Sequence, residues 1–286
     1  MASWYCRLAS RYWRMAGVTV SRAVADVSGG GDISGEDTLM NVVILALDTT
    51  TRAGSVALMR DERLVAPAVG NLDRTHGERL PEDALRILAD HGLSLRDVGL
   101  FAVCSGPGSF TGLRVGLSTI QGLALAGSGH VVAVPTLEAL AYAALWNPDC
   151  STEPGSLIVP WMNAHRGEVF GAVYAVAEDG GLDDRRPPAV GAGPVLLSGW
   201  VPLFVAHPPL FIGDAVADSE AAIAEVVGNA NLEVGMPALA PIIARRAAVM
   251  GEAAQIRPHA VRPVYVRRPD AELARDRRRS KAPNAS

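Results

Sequence analysis

Cysteine is scarce in this chain: Cys6, Cys104 and Cys150 are an odd number in 286 residues and share no metal-ligand spacing. No structural zinc site follows, and a reducing, cytoplasmic compartment is expected. Histidine is sparse too, and the six (His76, His91, His130, His165, His207 and His259) include no pair at ligand spacing. No apolar run approaches the ~20 residues of a membrane span, and no internal repeat shows at a solenoid period. A nucleophile elbow, a Gly-Lys-Ser/Thr phosphate-loop ending and a G-x-G-x-x-G fingerprint are all missing. A net charge of only −4 argues against a large independent nucleic-acid surface. Hydrophobic content of 49% argues against disorder, and the length suffices for two modest lobes.

What is present centres on residues 105–118, Ser-Gly-Pro-Gly-Ser-Phe-Thr-Gly-Leu-Arg-Val-Gly-Leu-Ser. Leu100–Cys104 before them reads as a buried strand, and Thr111–Ala126 after them as a helix. Gly106, Pro107 and Gly108 lie between, with Ser109 or Thr111 as a hydroxyl N-cap. A strand, a glycine turn and a helix N-terminus present backbone N–H groups that suit either an anion or a close backbone neighbour. On spacing alone both a tight packing turn and a phosphate site remain open. Cys104, ending an apolar strand, reads as a small buried hydrophobe.

The segment Asn41–Leu47 is a nearly continuous apolar run closed by Asp48, Thr49, Thr50 and Thr51. Gly54–Arg60 then reads as a second strand and Leu64–Val69 as a third. This strand, Asp-Thr-Thr turn and hairpin resemble the opening of actin, sugar kinase and Hsp70 superfamily chains. In that superfamily the acid and the hydroxyls face nucleotide phosphates. The resemblance makes Asp48, Thr49, Thr50, Gly106, Gly108 and Ser109 candidate phosphate contacts. Against it, no glycine stands two residues after Asp48 to let a phosphate approach. Phe211-Ile212-Gly213-Asp214 lacks a paired glycine for an adenine-side turn. The structural reading of Asp48 is a hydrogen-bonding cap on the neighbouring hairpin.

Five segments in order carry a closer likeness: Ile44–Thr50, Arg74–Pro81 with His76, Ser105–Gly116, Asn163–Phe170 and Arg262–Arg267. Together they resemble the TsaB family, also called YeaZ, over residues 41–270. The resemblance implies a two-lobed α/β fold of the actin, sugar kinase and Hsp70 (ribonuclease H-like) kind, with mixed sheets flanked by helices. It also implies a role in forming threonylcarbamoyladenosine in tRNAs that read A-starting codons. There the chain would partner the catalytic paralogue TsaD, with the ATPase TsaE joining, and would meet tRNA only through the complex. Catalytic TsaD relatives carry a His-x-x-x-His metal pair, where this chain has Thr136 and Leu140. Thr136 is better explained as a helix N-cap after Pro135. No catalytic residue, no metal and no cofactor are therefore expected, ATP being handled by partner subunits. An autonomous ATP-dependent kinase or carbamoyltransferase is the alternative. The family usually has Asp where this chain has Asn163, which puts a hydrogen-bonded turn or metal contact there in doubt, although Asn still caps.

The family is thought to build a helical bundle with TsaD, which places the partner interface on helices near 77–91 and 111–126. The residues expected there are Leu80, Ala84, Leu85, Leu88, Leu113, Gly116, Leu117 and Ile120, with Gly112, Gly116 and Gly122 permitting close approach. The bland alternative is that both helices only cover their own sheet. Glutamate at Leu88 or Leu117 is expected to leave a folded chain that no longer binds TsaD. A homodimer is expected when TsaD is absent.

The layout expected is an extension at 1–40, lobe one at 41–147 helped by a helix near 237–254, lobe two at 156–236, and a C-terminal strand with basic tail at 262–286. Residues 178–194 read as a Pro-rich charged connection. Residues 1–39 hold Arg7, Arg11, Arg14 and Arg22 among aromatics, as a targeting segment would. Equally, Met40 stands one residue before the first strand as a plausible start, so that 1–39 are dispensable. From Arg262 to Lys281 eight basic residues face Asp270, Glu272 and Asp276. They form either a solvated tail or a basic arm near tRNA or a partner.

Overall fold

The computed structural model describes residues 42–51, 53–61, 63–69 and 76–267. The extension at 1–40 and the tail after Arg267, with what the sequence leads one to expect of them, lie outside the described residues.

The chain builds one motif twice. In the first half, β1 (Val43–Asp48), β2 (Ser55–Arg60), β3 (Arg63–Val69), β4 (Leu100–Gly106) and β5 (His130–Pro135) form a sheet in the order β3-β2-β1-β4-β5. In the second, β6 (Leu157–Asn163), β7 (Glu168–Val176), β8 (Leu182–Ala192), β9 (Leu210–Gly213) and β10 (Asn231–Val234) follow the order β10-β9-β6-β7-β8. In both sheets the first three strands pair antiparallel and the last two join parallel to the first. Each half also carries a helix after its third, fourth and fifth strand. These are α1 (His76–Ala89), α2 (Phe110–Gly127) and α3 (Thr136–Leu145), then α4 (Gly193–Trp200), α5 (Val216–Val226) and α6 (Leu239–Met250). This duplicated, two-lobed topology is the fold of the actin, sugar kinase and Hsp70 superfamily.

The apolar run of β1 is explained by burial on both faces. Val43, Leu45 and Leu47 point to the outer face of the first sheet, under α1 and α2, with Leu80, Ala84, Leu88, Leu117 and Ile120. Ile44 and Ala46 point the other way, into a core shared by both sheets. The third helices occupy that shared core crosswise: α3 packs mainly on β6 of the second sheet, and α6 on β1, β2 and β4 of the first. Small residues make this possible, since Ala139, Ala141, Ala143, Ala144, Ala240, Ala244 and Ala247 are all buried there. The Ser55 hydroxyl accepts from the Ala240 N–H at 3.0 Å, capping an orphan donor at the start of α6.

Several expectations need correction. Residues 178–194 are no connection but contain β8, eleven residues long, at the sheet edge. An edge strand tolerates Pro187, Pro188 and a run of charges, because one side of its backbone needs no partner. Helix α4 has no side-chain cap and strand β10 is four residues long, so neither leaves a clear local pattern in the sequence. Residues 262–267 form no strand. Both edges of β4 are already taken by β1 and β5, so the segment meets only the end of β4, through Val264 N–H to Ser105 O at 2.7 Å. Among the described residues no helix is long and apolar enough to cross a membrane.

Candidate functional site

The five segments picked out in the sequence run into one another across the molecule. Asp48 ends β1 in the central position of the first sheet, and its Oδ1 accepts from the Thr50 N–H at 2.9 Å and the Thr50 hydroxyl at 2.6 Å. This Asx turn shapes the loop into β2. Arg79, buried in the first turns of α1, donates from Nη2 to Ala53 O at 2.8 Å and pairs with Asp83 at 3.2 Å, fixing α1 to that loop.

The glycine block closes down on the same turn. The Ser109 N–H donates to Thr50 O at 3.1 Å. A Cβ at Gly108 would stand 2.6 Å from Thr50 Cβ, while at Gly112 and Gly116 it would overlap the Thr49 carbonyl and hydroxyl. Gly106 holds φ +113°, open to glycine. Its N–H donates to Thr136 Oγ1 at 3.2 Å, and Val264 O would lie 2.5 Å from an added Cβ. Ser109 is the N-cap of α2, its hydroxyl accepting from Gly112 N–H at 3.2 Å. Asp48, Thr49, Thr50, Gly106, Gly108 and Ser109 are thus brought together, with the donors of Thr50, Gly106, Ser109 and Gly112 engaged inside the chain. Thr136 corrects its expected role. It is the first residue of α3 and not its cap, because its hydroxyl reaches across to β4.

Beneath this junction lies Cys104. Burial pushes its thiol well above the ordinary value, and the adjacent Asp48 carboxylate pushes the same way. A thiol held protonated in this manner is a poor nucleophile. Among the described residues no group of three or more His, Cys, Asp or Glu side chains gathers as a metal site would.

Asn163 ends β6 as Asp48 ends β1, and it repeats the turn: its Oδ1 accepts from His165 N–H at 2.7 Å. The amide therefore keeps the hydrogen-bonded loop that a carboxylate would make. Its own N–H donates to Asp214 Oδ1 at 2.8 Å. His165 and Arg166 both stand at φ 59° and Gly167 at 73°, so three successive residues occupy the left-handed region.

The expected partner residues are a correction. Leu80, Ala84, Leu88, Leu113, Gly116, Leu117 and Ile120 are buried on the chain's own sheet, and Leu85, at 47% exposure, is the exception. The apolar arcs of α1 and α2 are used to cover the first sheet and each other. Gly112 and Gly116 face inward, whereas Gly122 faces open space, as Leu125 does.

Sequence reasoning missed the pairing of Phe110, Arg114, Glu168, Tyr265 and Arg267. Tyr265 lies on the Phe110 ring at 5.2 Å, with its hydroxyl accepting from Arg114 Nε at 3.2 Å. Arg267 bonds Ala164 O at 2.7 Å and pairs with the Glu168 carboxylate. The hydrogen-bonded partners are 99 to 151 residues apart in sequence, and no local pattern announces them.

Residues 65–188 match the family described as TsaD: tRNA N6-adenosine threonylcarbamoyltransferase. The tRNA threonylcarbamoyladenosine biosynthesis protein TsaB of Escherichia coli is 38% identical over 137 residues, 48% of this chain and 57% of that protein. That match spans little more than half the relative's length. The Bacillus subtilis protein of the same name is 28% identical over 236 residues, 81% of this chain and 96% of the relative. A crystal structure from Pseudomonas aeruginosa, titled as an uncharacterized protein with similarity to peptidase YEAZ, superposes with TM-score 0.65 at 25% identity. It is covered to 100%, and this chain to 79%.

Proposed function

The chain belongs to the TsaB (YeaZ) family, and from that premise we propose that it serves in threonylcarbamoyladenosine formation on tRNA as a non-catalytic partner of a TsaD homologue. The observation that carries the non-catalytic part is the closed glycine turn. A phosphate bound there would need free backbone donors, and those of Thr50, Gly106, Ser109 and Gly112 already serve the chain itself. Thr136 and Leu140, both fully buried, stand where TsaD-like relatives would hold their metal, and neither offers an imidazole. ATP is then handled by the TsaD and TsaE homologues, and tRNA is met through the assembled complex. The outer face of α1 and α2, with Leu85, Gly122 and Leu125, is the surface offered to the partner. Gly122 supports this, since an exposed mid-helix glycine costs about 1 kcal/mol relative to alanine and meets no packing neighbour among the described residues.

The test is reconstitution. The purified chain is titrated with Mg-ATP, and tRNA modification is assayed with the chain, the TsaD homologue and the TsaE homologue singly and together. Modification is expected only in the mixture, with no heat of ATP binding to the chain alone. ATP turnover by the chain alone, abolished in Asp48→Ala, would instead favour an autonomous kinase or carbamoyltransferase.

A further inference from the structure

We propose that residues 262–267 are a strap that couples the glycine turn of the first lobe to the strained turn of the second. The strap is anchored at both ends by different chemistry. On the first lobe, Val264 N–H donates to Ser105 O at 2.7 Å, and the Val264 carbonyl lies against Gly106, where only a glycine leaves room. Tyr265 covers Phe110 and accepts from Arg114, while Gln121 Nε2 holds the Val261 carbonyl at 3.3 Å.

On the second lobe, Arg267 grips both ends of the turn that begins at Asn163: the Ala164 carbonyl at its start and the Glu168 carboxylate at its close. Its guanidinium also lies over the Phe170 ring at 5.7 Å. That turn needs outside support. Left-handed backbone costs about 1–2 kcal/mol for each non-glycine residue, and His165 and Arg166 both adopt it. Such conformations persist only where the surroundings over-determine them.

The two anchors are close neighbours in the chain. Tyr265 and Arg267 are separated by Val266 alone, and two residues span at most ~7 Å of extended chain. A shift between the lobes at this face is therefore expected to load both anchors together. The strap is thus a restraint on the relative position of the two turns, additional to the core that the crossing helices share.

Hydrogen exchange on the full chain tests this, read at the end remote from each substitution. Arg267→Ala is expected to speed exchange of the Val264 N–H by about fivefold or more, and Tyr265→Ala to do the same for the Ala164 and Glu168 N–H groups. Both side chains are at least partly exposed, so the variants fold. Tyr265→Phe, which keeps the ring on Phe110, should leave the Ala164 and Glu168 rates within about twofold. Acceleration confined to the substituted end in both variants, or none at all, would overturn the proposal and leave 262–267 a passively adsorbed segment.

Discussion

Gly116 lies directly against Thr49: a methyl group added at 116 would overlap the Thr49 hydroxyl and stand 2.9 Å from its Cγ2. That hydroxyl is fully buried and, among the described residues, has no hydrogen-bond partner. The closeness brings α2 down on the end of β1. Gly116→Ala is therefore expected to destabilise the chain by about 1–3 kcal/mol through overpacking, despite alanine's better helix propensity. Gly122→Ala on the same helix meets open space and should be neutral or stabilising by about 1 kcal/mol. Urea melts of the two variants decide it, and equal stabilities would show that α2 has freedom to move away from Thr49.

The contrast between these glycines marks what the sequence discloses. Strand, turn and helix around residues 100–127 follow from apolar periodicity and from a hydroxyl cap at Ser109 or Thr111, and the structure has them within two residues, with Ser109 as the cap. Which face each glycine takes does not follow, because it depends on Thr49, more than sixty positions earlier. The same holds for the duplication. The strand order repeats without a sequence repeat, since topology constrains burial pattern and not residue identity. Strand β8 was illegible for the opposite reason: half-exposed edge positions carry Asp, Arg and Pro, which read locally as loop.

Arg246 on α6 donates to Glu138 on α3 at 2.8 Å and lies 4.7 Å from the Tyr142 ring. Both charged side chains are about four-fifths buried, at 21% and 20% exposure, which raises the pair above a surface salt bridge. It ties together the two helices that cross between the lobes. Arg246→Met should cost about 1–2 kcal/mol in urea unfolding, combining the lost ion pair and the lost ring contact. A double-mutant cycle with Glu138→Gln should return a coupling of about 1 kcal/mol. Zero coupling would assign the whole loss to Tyr142.

Tyr174 sits in the shared core at 4% exposure, and burial holds its phenol well above the ordinary value, with Glu138 and Asp184 adding to it. Tyr142 is raised too, again chiefly by burial. A folded chain that favours the neutral phenol keeps that stabilisation in full below the unfolded value of about 10, and loses it as pH climbs through the raised folded value. Alkaline unfolding is thus expected to coincide with the appearance of phenolate absorbance. Tyr174→Phe should change neutral-pH stability by no more than about 1 kcal/mol while moving the alkaline midpoint upward. An unchanged midpoint would mean that other groups govern alkaline unfolding.

The burial of Leu88 and Leu117 overturns the use of those positions as interface probes. A glutamate at either would stand unpaired in the core under the first sheet, a change worth about 3–5 kcal/mol, and should unfold the chain before it could report on a partner. The informative substitutions lie one step round each helix. Leu85 is 47% exposed, Leu125 is 63% exposed, and Gly122 has nothing within 4 Å of an added Cβ. Leu85→Glu and Gly122→Arg should melt within about 1 kcal/mol of the parent. Each places a charge where a close helix contact would leave it desolvated and unpaired, which costs about 2–5 kcal/mol on association. A micromolar complex, at about 8 kcal/mol, would then weaken by at least an order of magnitude. We expect both variants to stay folded, to fail to co-purify with the TsaD homologue, and to lose support for tRNA modification. If both co-purify as the parent does, the partner binds another face, and the open glycine on α2 needs a different explanation.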